Sequence, residues 1–518
     1  MKREIMIRII IYSALAIFLI YAYRFKILSL INEFFFDDYV LAELSEEQKL
    51  EDFEEFYTTI IESVPYLEDV NKLYGIDFKK RKEYYIEEIK STKNNVEYYA
   101  VMKAISEDLG SFHTDICFPL YSNLKGLNCY QSKEIVNSLG MQKKIDAWTE
   151  EIGRYIEEYE NVEIISAVYV DGAYIVNNYT PFHKQDEKAL YELVSINGIT
   201  ADEYVVKNLS VYGLQYDYLE KKPYRNIFRL NNKIGKPLTV VWKDKVGNLI
   251  EEKLFSDYGS DIVAGYGYLY NQESQTQQSE SCITTYRDVA NQLEYIKIDN
   301  FINSEGKQLK KYLQNLKYSK VIIDLRDNYG GWMDYAQKYI YPALYKKDAN
   351  FSYQFLVPNT KSNKVMNNNY KVRFGYLREK NKDSYLYTNT ITYKGKADSE
   401  KEIYYLVGSR TGSAADAFVN MIKENELGTV VGTNTGGEGL GASYICDYLK
   451  NSSLIYVYYP SSPIGVDTNP VGGTAPDVYV NQTQEDYWLE RQYQMEGKAD
   501  NYQNRLMYDT VLKWVIEQ

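Results

Sequence analysis

Histidine and cysteine are nearly missing from this chain, which has two of the former and four of the latter in 518 residues. The cysteines, Cys117, Cys129, Cys282 and Cys446, form no CxxC pair and no His/Cys cluster at the spacing a zinc site needs, so the sequence implies no metal and no other cofactor. Cys117 and Cys129 are near enough in sequence for a disulfide in an oxidising compartment, and equally suit two buried thiols. An excess of positive charge is missing too. With 59 basic and 72 acidic side chains the formal net charge is −13, and a body this acidic is repelled by phosphate backbones, which argues against nucleic acid as a partner. No internal repeat of fixed period is present.

What is present is an ordinary globular composition, 45% hydrophobic and 25% charged, with the unusual number of 55 tyrosines. Tyrosine joins an apolar ring to a polar tip and suits strands and grooves, but its abundance names no activity. Ile5 to Tyr23 is an apolar stretch interrupted only by Arg8, long enough to cross a bilayer, with basic residues on both flanks and no small-residue cleavage pattern. The expectation is an uncleaved anchor over residues 1–26, a single-pass protein of the cell membrane, and a body held outside the cytoplasm.

Apolar residues recur at three- and four-residue spacing over residues 40–159, as in Phe53, Phe56, Tyr57 and Ile60, predicting a helical domain. Over residues 160–270 the pattern turns to short alternating runs with turn residues, predicting a small β-rich domain. The polar run 271–280 reads as a linker. From Tyr295 strands and helices alternate: Tyr295–Phe301, Leu309–Leu316, Val321–Leu325, Trp332–Leu344, Ile403–Val407, Ala414–Glu424 and Val430–Val431. That is an α/β core over residues 285–486, with residues 487–518 closing the chain as a helical segment that includes Tyr502–Ile516.

Two turns in this core could carry chemistry. Asp324-Leu-Arg-Asp-Asn-Tyr-Gly-Gly331 runs from a buried-type strand into two glycines, which leave backbone N–H groups open to a developing oxyanion. Thr411-Gly-Ser-Ala-Ala-Asp416 places Ser413 at the start of a helix, where the dipole favours an alkoxide-like nucleophile. Ser413 and Asp416 also fit a plain capping box, and a Gly-Gly turn also fits a plain connection. Of the two histidines, His113 follows a helical segment in Asp108-Leu-Gly-Ser-Phe-His-Thr-Asp115, while His183 sits in a turn-like loop without a matching block and is set aside.

The order and spacing of these two blocks, followed by Val430-Val-Gly-Thr-Asn-Thr-Gly-Gly437 and Gly473-Thr-Ala-Pro-Asp-Val478, resemble the tail-specific, or carboxyl-terminal processing, serine protease family. The resemblance implies a crotonase-like core with Ser413 as nucleophile and the N–H groups of Ala414 and of Gly330 or Gly331 as the oxyanion hole. The Ser/Lys branch of the family carries its lysine 25 residues after the serine, and that position here is Glu438. His113 and its block are similar to the tricorn-like Ser/His branch, which implies Ser413, His113 and Glu438 as the catalytic set, with Asp115, Glu424 and Asp447 as competitors for the acidic place. Lys423 and Lys450 are the fallback bases. Leu193-Val-Ser-Ile-Asn-Gly-Ile-Thr200 resembles the strand and turn of PDZ-like domains, which capture peptides at a sheet edge. The implied activity is a membrane-tethered serine peptidase acting on protein or peptide substrates through an acyl-enzyme on Ser413. The alternative is a catalytically inactive peptide- or lipid-binding protein on the same scaffold.

Overall fold

The computed structural model describes residues 41–111, 113–119, 124, 131–138, 140–159, 164–177, 190–231, 235–256, 281–364, 366–368, 377–464, 468–469 and 471–518. Ile5–Tyr23, Cys129, His183 and the run 271–280 lie outside these residues.

The centre is a six-stranded sheet ordered 283–288, 293–298, 320–324, 402–407, 429–432 and 478–479, antiparallel at its first pair and parallel elsewhere. Parallel strands need crossovers. The Asn303–Leu313 helix links Leu293–Ile298 to Lys320–Asp324, and the Ala414–Glu424 helix links Glu402–Val407 to Thr429–Gly432. Both faces of the sheet are covered, so its strands are near-continuous apolar runs: Val321, Ile322 and Ile323 are buried, as are Ile403 to Val407. The Ala414–Glu424 helix is buried from Ala414 to Ile422, which is why it carries alanines where it meets the sheet and Phe418, Met421 and Ile422 where it fills space.

The helix expected over Trp332–Leu344 is a π-turn at Ala336–Ile340 followed by a short helix at Tyr341–Leu344. Pro342 has no N–H for an α-helical bond, and the wider turn accommodates that loss. Tyr502–Ile516 is likewise two helices, Tyr502–Tyr508 and Thr510–Glu517, broken at Asp509, whose side chain caps the second through the Leu512 N–H at 3.0 Å. Between the crossovers, two ten-residue strands, Ala349–Pro358 and Ser384–Tyr393, pair antiparallel in a four-stranded sheet.

The β-rich region is an antiparallel sheet of seven strands ordered 173–176, 164–170, 227–231, 249–256, 236–243, 192–196 and 199–200, and a further pairing of 173–176 with 192–196 curls it closed. Its interior holds Tyr174, Leu193, Val240 and Trp242. Four helices, Glu46–Ser63, Leu67–Tyr74, Lys82–Lys90 and Asn95–Glu107, lead the described chain. They pack into one apolar cluster with the central sheet.

The single-pass, membrane-tethered arrangement does not hold. Among the described residues no helix is long and apolar enough to cross a membrane. The two longest, Glu46–Ser63 and Met141–Tyr159, are amphipathic and carry charged residues along one side. With that expectation go the membrane partner and the extracytoplasmic placement that rested on it.

The C-terminal helices are fixed to the core by a buried ion network. Arg326 holds Asp509 with two bonds of 2.8 and 2.6 Å and Asp324 with bonds of 3.0 and 2.6 Å. Burial alone would raise Asp324, but the Arg326 and Arg505 guanidinium groups hold its carboxyl well below the usual range. A carboxyl depressed in this way stabilises the fold above its unfolded value of about 3.9 and loses that contribution only as pH falls toward its folded value. Replacing Arg326 by Met leaves two buried carboxylates short of charge. The expected loss at neutral pH is about 3–5 kcal/mol in urea unfolding, and a loss below about 1 kcal/mol would contradict this account.

Candidate active site

Three strand ends of the central sheet meet around Ser413. The strand Glu402–Val407 runs into the turn 408–413, where the Thr411 hydroxyl donates to the Leu325 carbonyl at 2.7 Å and the Gly412 N–H donates to the Asn328 carbonyl at 3.0 Å. From the third strand end, the Gly437 carbonyl accepts the Ser413 N–H at 3.0 Å and the Thr411 carbonyl accepts the Gly436 N–H at 2.9 Å. Ser413 itself has φ 52° and ψ −123°, a conformation costly for a residue with a side chain, and it makes no capping bond to its own helix. The capping-box reading therefore fails. Its supposed partner, Asp416, is turned inward, where its fully buried carboxylate accepts from the Thr435 and Thr474 hydroxyls at 2.5 Å each and from the Gly439 N–H at 3.0 Å. Burial pushes the Asp416 carboxyl up, and these donors pull against that shift.

Asp416 thus ties the serine helix to the loop that carries Glu438. Contact there is close: a Cβ on Gly439 would stand 2.3 Å from the Ala417 nitrogen and 2.5 Å from the Ser413 carbonyl oxygen. Glu438, at φ 59°, presents a fully buried side chain to residues from the distant N-terminal part. Its Oε2 lies 2.7 Å from His113 Nδ1, and its Oε1 accepts from the Ser111 hydroxyl at 2.6 Å.

His113 reaches this place because the two-residue strand Asp115–Ile116 pairs antiparallel with Ile455–Tyr458, continued by the Cys117 N–H donating to the Ile455 carbonyl at 2.8 Å. The imidazole is sandwiched in a tyrosine-rich surround, 4.9 Å from the Tyr444 ring centre and 5.7 Å from that of Tyr459, both tilted by 27°. The Thr114 hydroxyl accepts the Tyr459 N–H at 3.0 Å and lies 2.8 Å from the Tyr66 hydroxyl. Burial, and then the Glu438 charge, raise the Tyr66 hydroxyl, so it stays a neutral hydrogen-bonding group.

The glycine pair lies against the serine. A Cβ on Gly330, whose φ is 98°, would sit 2.8 Å from the Ser413 Cβ and 2.8 Å from the Ala414 nitrogen. The Gly330 N–H, however, already donates to Asn328 Oδ1 at 2.8 Å, and Asn328 Nδ2 donates to the Ile298 carbonyl at 2.9 Å. Ser413 and Gly330 are therefore in contact, and His113 and Glu438 are hydrogen-bonded. A backbone bond one residue before Glu438 joins that pair to Ser413.

The competing acids are engaged elsewhere or lie apart. Asp115 takes the Lys103 ammonium at 2.6 Å, and Asp447 accepts from the neighbouring Tyr448 N–H. Glu424 ends the serine helix, far from its Ser413 start. Lys423 is paired with Asp477 at 2.6 Å, and the Lys450 N–H meets Glu55. Among the described residues, no group of three or more His, Cys, Asp or Glu side chains is arranged to hold a metal ion. Ser111, Asn328 and Asp416, each inside one of the motif blocks of the sequence, hold this arrangement together without having been expected in it.

Residues 292–479 match the family model described as peptidase family S41. No curated protein matches this sequence. Among solved structures the chain is similar to a mutant of CPAF, at 11% identity over 91% of this chain and 98% of that one, with a TM-score of 0.50. It is also similar to mature CPAF, at 11% identity over 91% and 98% with a TM-score of 0.47, and to the photosystem II D1 C-terminal processing protease, at 14% over 85% and 94% with a TM-score of 0.36. The segment matched by the family model holds five of the six strands of the central sheet, the glycine pair, the Ser413 turn and the Glu438 loop. This chain is a mixed α/β protein whose central segment, residues 292–479, is similar to peptidase family S41, and it is a serine peptidase.

Proposed function

We propose that Ser413, His113 and Glu438 act together in peptide-bond hydrolysis by an acyl-enzyme route. The observation that carries this reading is the 2.7 Å bond between His113 Nδ1 and Glu438 Oε2. A carboxylate on Nδ1 fixes the tautomer that leaves Nε2 as proton acceptor, and it steadies the imidazolium once the proton arrives. In the forward step the Ser413 oxygen bonds to the substrate carbonyl carbon and its proton passes to His113 Nε2. Collapse of the tetrahedral adduct breaks the C–N bond, and the same proton goes to the leaving amine. Water then repeats the sequence on the ester, with His113 again taking and returning the proton. This is the Ser/His chemistry of the tricorn-like branch, and Glu438 stands where a Ser/Lys enzyme would carry its base.

For the oxyanion hole the donors on this reading are the N–H groups of Ala414 and Gly331. Gly330 contributes by having no side chain, because its own N–H is committed to Asn328. The closed antiparallel sheet of the β-rich region is read as a PDZ-like unit, and the core as crotonase-like, in a chain divided as helical residues 40–159, β-rich residues 160–270, core residues 285–486 and a helical close.

A fluorophosphonate probe should label the wild-type protein and leave Ser413→Ala unlabelled; a folded wild type that takes no label would overturn the proposal. His113→Ala should lower turnover about a hundredfold or more, and Glu438→Gln by up to about 10⁴-fold, since the amide no longer holds the productive tautomer. Turnover of either variant within a few-fold of wild type would return the search to a lysine.

Gly330→Ala tests the oxyanion geometry separately. The added methyl must fit 2.7 Å from the Gly412 carbonyl oxygen and 2.8 Å from the Ala414 nitrogen at a φ of 98°. The rate of probe labelling should fall on the order of a hundredfold, as for loss of one oxyanion donor. An unchanged labelling rate would place the oxyanion elsewhere.

A further inference from the structure

Four large apolar side chains flank the glycine pair without being buried: Ile302 is 38% exposed, Tyr329 51%, Trp332 54% and Met333 42%. The fold does not need them outside. Their inward-facing neighbours already fill the interior, with Phe301 and Tyr335 buried and stacked at 4.9 Å and 8°. The Trp332 N–H donates to the Phe301 carbonyl at 3.0 Å and the Phe301 N–H donates to the Gly330 carbonyl at 2.8 Å, so the segments bearing Ile302 and Trp332 run side by side. Tyr329 and Trp332 stand on either side of Gly330 and Gly331, and Gly330 is against Ser413. The exposed apolar surface therefore begins at the edge of the nucleophile.

We infer that Ile302, Tyr329, Trp332 and Met333 form a recognition surface for a bulky apolar or aromatic substrate side chain close to the scissile bond. The inference rests on Ser413 being the nucleophile. An extended peptide advances about 3.3 Å per residue, so a chain whose carbonyl is held at Ser413 and the glycine pair carries its next one to three residues across this patch. Exposed apolar side chains gathered on the segments beside a reactive group mark a binding site, and covering them removes apolar area from water on both partners. Peptides with glycine or serine at the matching position leave Trp332 and Met333 wet and gain nothing from them. The preference falls on ground-state and transition-state binding alike and is read mainly in KM.

The test uses the full chain. A complex mixture of peptides is digested by the wild type and by Trp332→Ser and Met333→Ser, and the cut sites are mapped by mass spectrometry. The wild type should enrich aromatic or large aliphatic residues at one fixed position within three residues of the cut. In each variant that enrichment should fade, and kcat/KM for a peptide preferred by the wild type should drop about tenfold, mostly through KM. The rate of fluorophosphonate labelling should stay unchanged, because the small probe does not reach the patch. An enrichment that persists in both variants overturns the inference and leaves the nucleophile assignment standing. A wild type that is neither labelled nor active overturns both. If a variant labels more slowly, Ile302→Ser decides, since it removes apolar surface outside the glycine turn; unaltered selectivity there also counts against the surface.

Discussion

A single buried carboxylate, that of Asp416, fixes the relation between Ser413 and Glu438 on which the proposed chemistry depends. It lies in the first turn of the serine helix, yet its short hydrogen bonds come from outside that helix, from the Thr435 and Thr474 hydroxyls and the Gly439 N–H, beside a longer one from Asn420. A carboxylate stripped of water must have its lone pairs filled, and filling them draws the loop 435–439 onto the helix. Once that loop is down, the Gly437 carbonyl receives the Ser413 N–H, and Glu438 is left facing the N-terminal part of the chain. The strained conformation of Ser413 persists because bonds on both sides of the residue over-determine it.

The rest of the constellation arrives from far away in sequence. The two residues Asp115 and Ile116 are a very short strand, too short to be stable alone, and they hold because the helix Asn95–Glu107 packs behind them and Lys103 clamps Asp115 at 2.6 Å. The pairing register, Asp115 with Val457 and Ile116 with Tyr456, determines where His113 falls. A slip of one residue would reverse the faces and carry the imidazole away from Glu438. Ser111 then closes the arrangement, accepting the His113 N–H at 3.2 Å while donating to Glu438.

Much of this was legible in the sequence, for physical reasons that differ from element to element. The central strands announce themselves because both faces are covered and their middles are near-continuous apolar runs. The helix Ala414–Glu424 is visible for the same reason. The scarcity of histidine directed attention to His113, and the departure from lysine directed it to Glu438. The antiparallel pair Ala349–Pro358 and Ser384–Tyr393 was not expected, although Phe351, Tyr353 and Phe355 alternate with exposed Ser352 and Gln354, the mark of a half-buried strand. Ser111 and Asn328 had no signal to offer. A small polar residue in a turn looks the same whether its partner is water or a carboxylate 327 residues away, and only the fold supplies the partner. The membrane expectation drew on Ile5–Tyr23, which lie outside the described residues, and no described helix is long and apolar enough to cross a membrane.

The β-rich region is joined to the candidate site through a buried ion group that includes Arg225, the last residue of the short strand Lys222–Arg225, which pairs with Leu214–Asp217. Arg225, fully enclosed, donates from Nε to the Val205 carbonyl and from its terminal nitrogen to Asp108, whose other carboxylate oxygen is held by Arg81 at 3.0 Å. Asp108 ends the Asn95–Glu107 helix, only five residues before His113. Burial raises its carboxyl, and the two guanidinium groups work against that rise. A shift of the strand Lys222–Arg225 that withdraws Arg225 would leave this buried charge with one of its two guanidinium partners, and the helix end would have to move or take up a proton. The segment that must respond is the same one that sets the imidazole against Glu438, so the position of the strand Lys222–Arg225 and the geometry of the His113–Glu438 pair are parts of one mechanical problem.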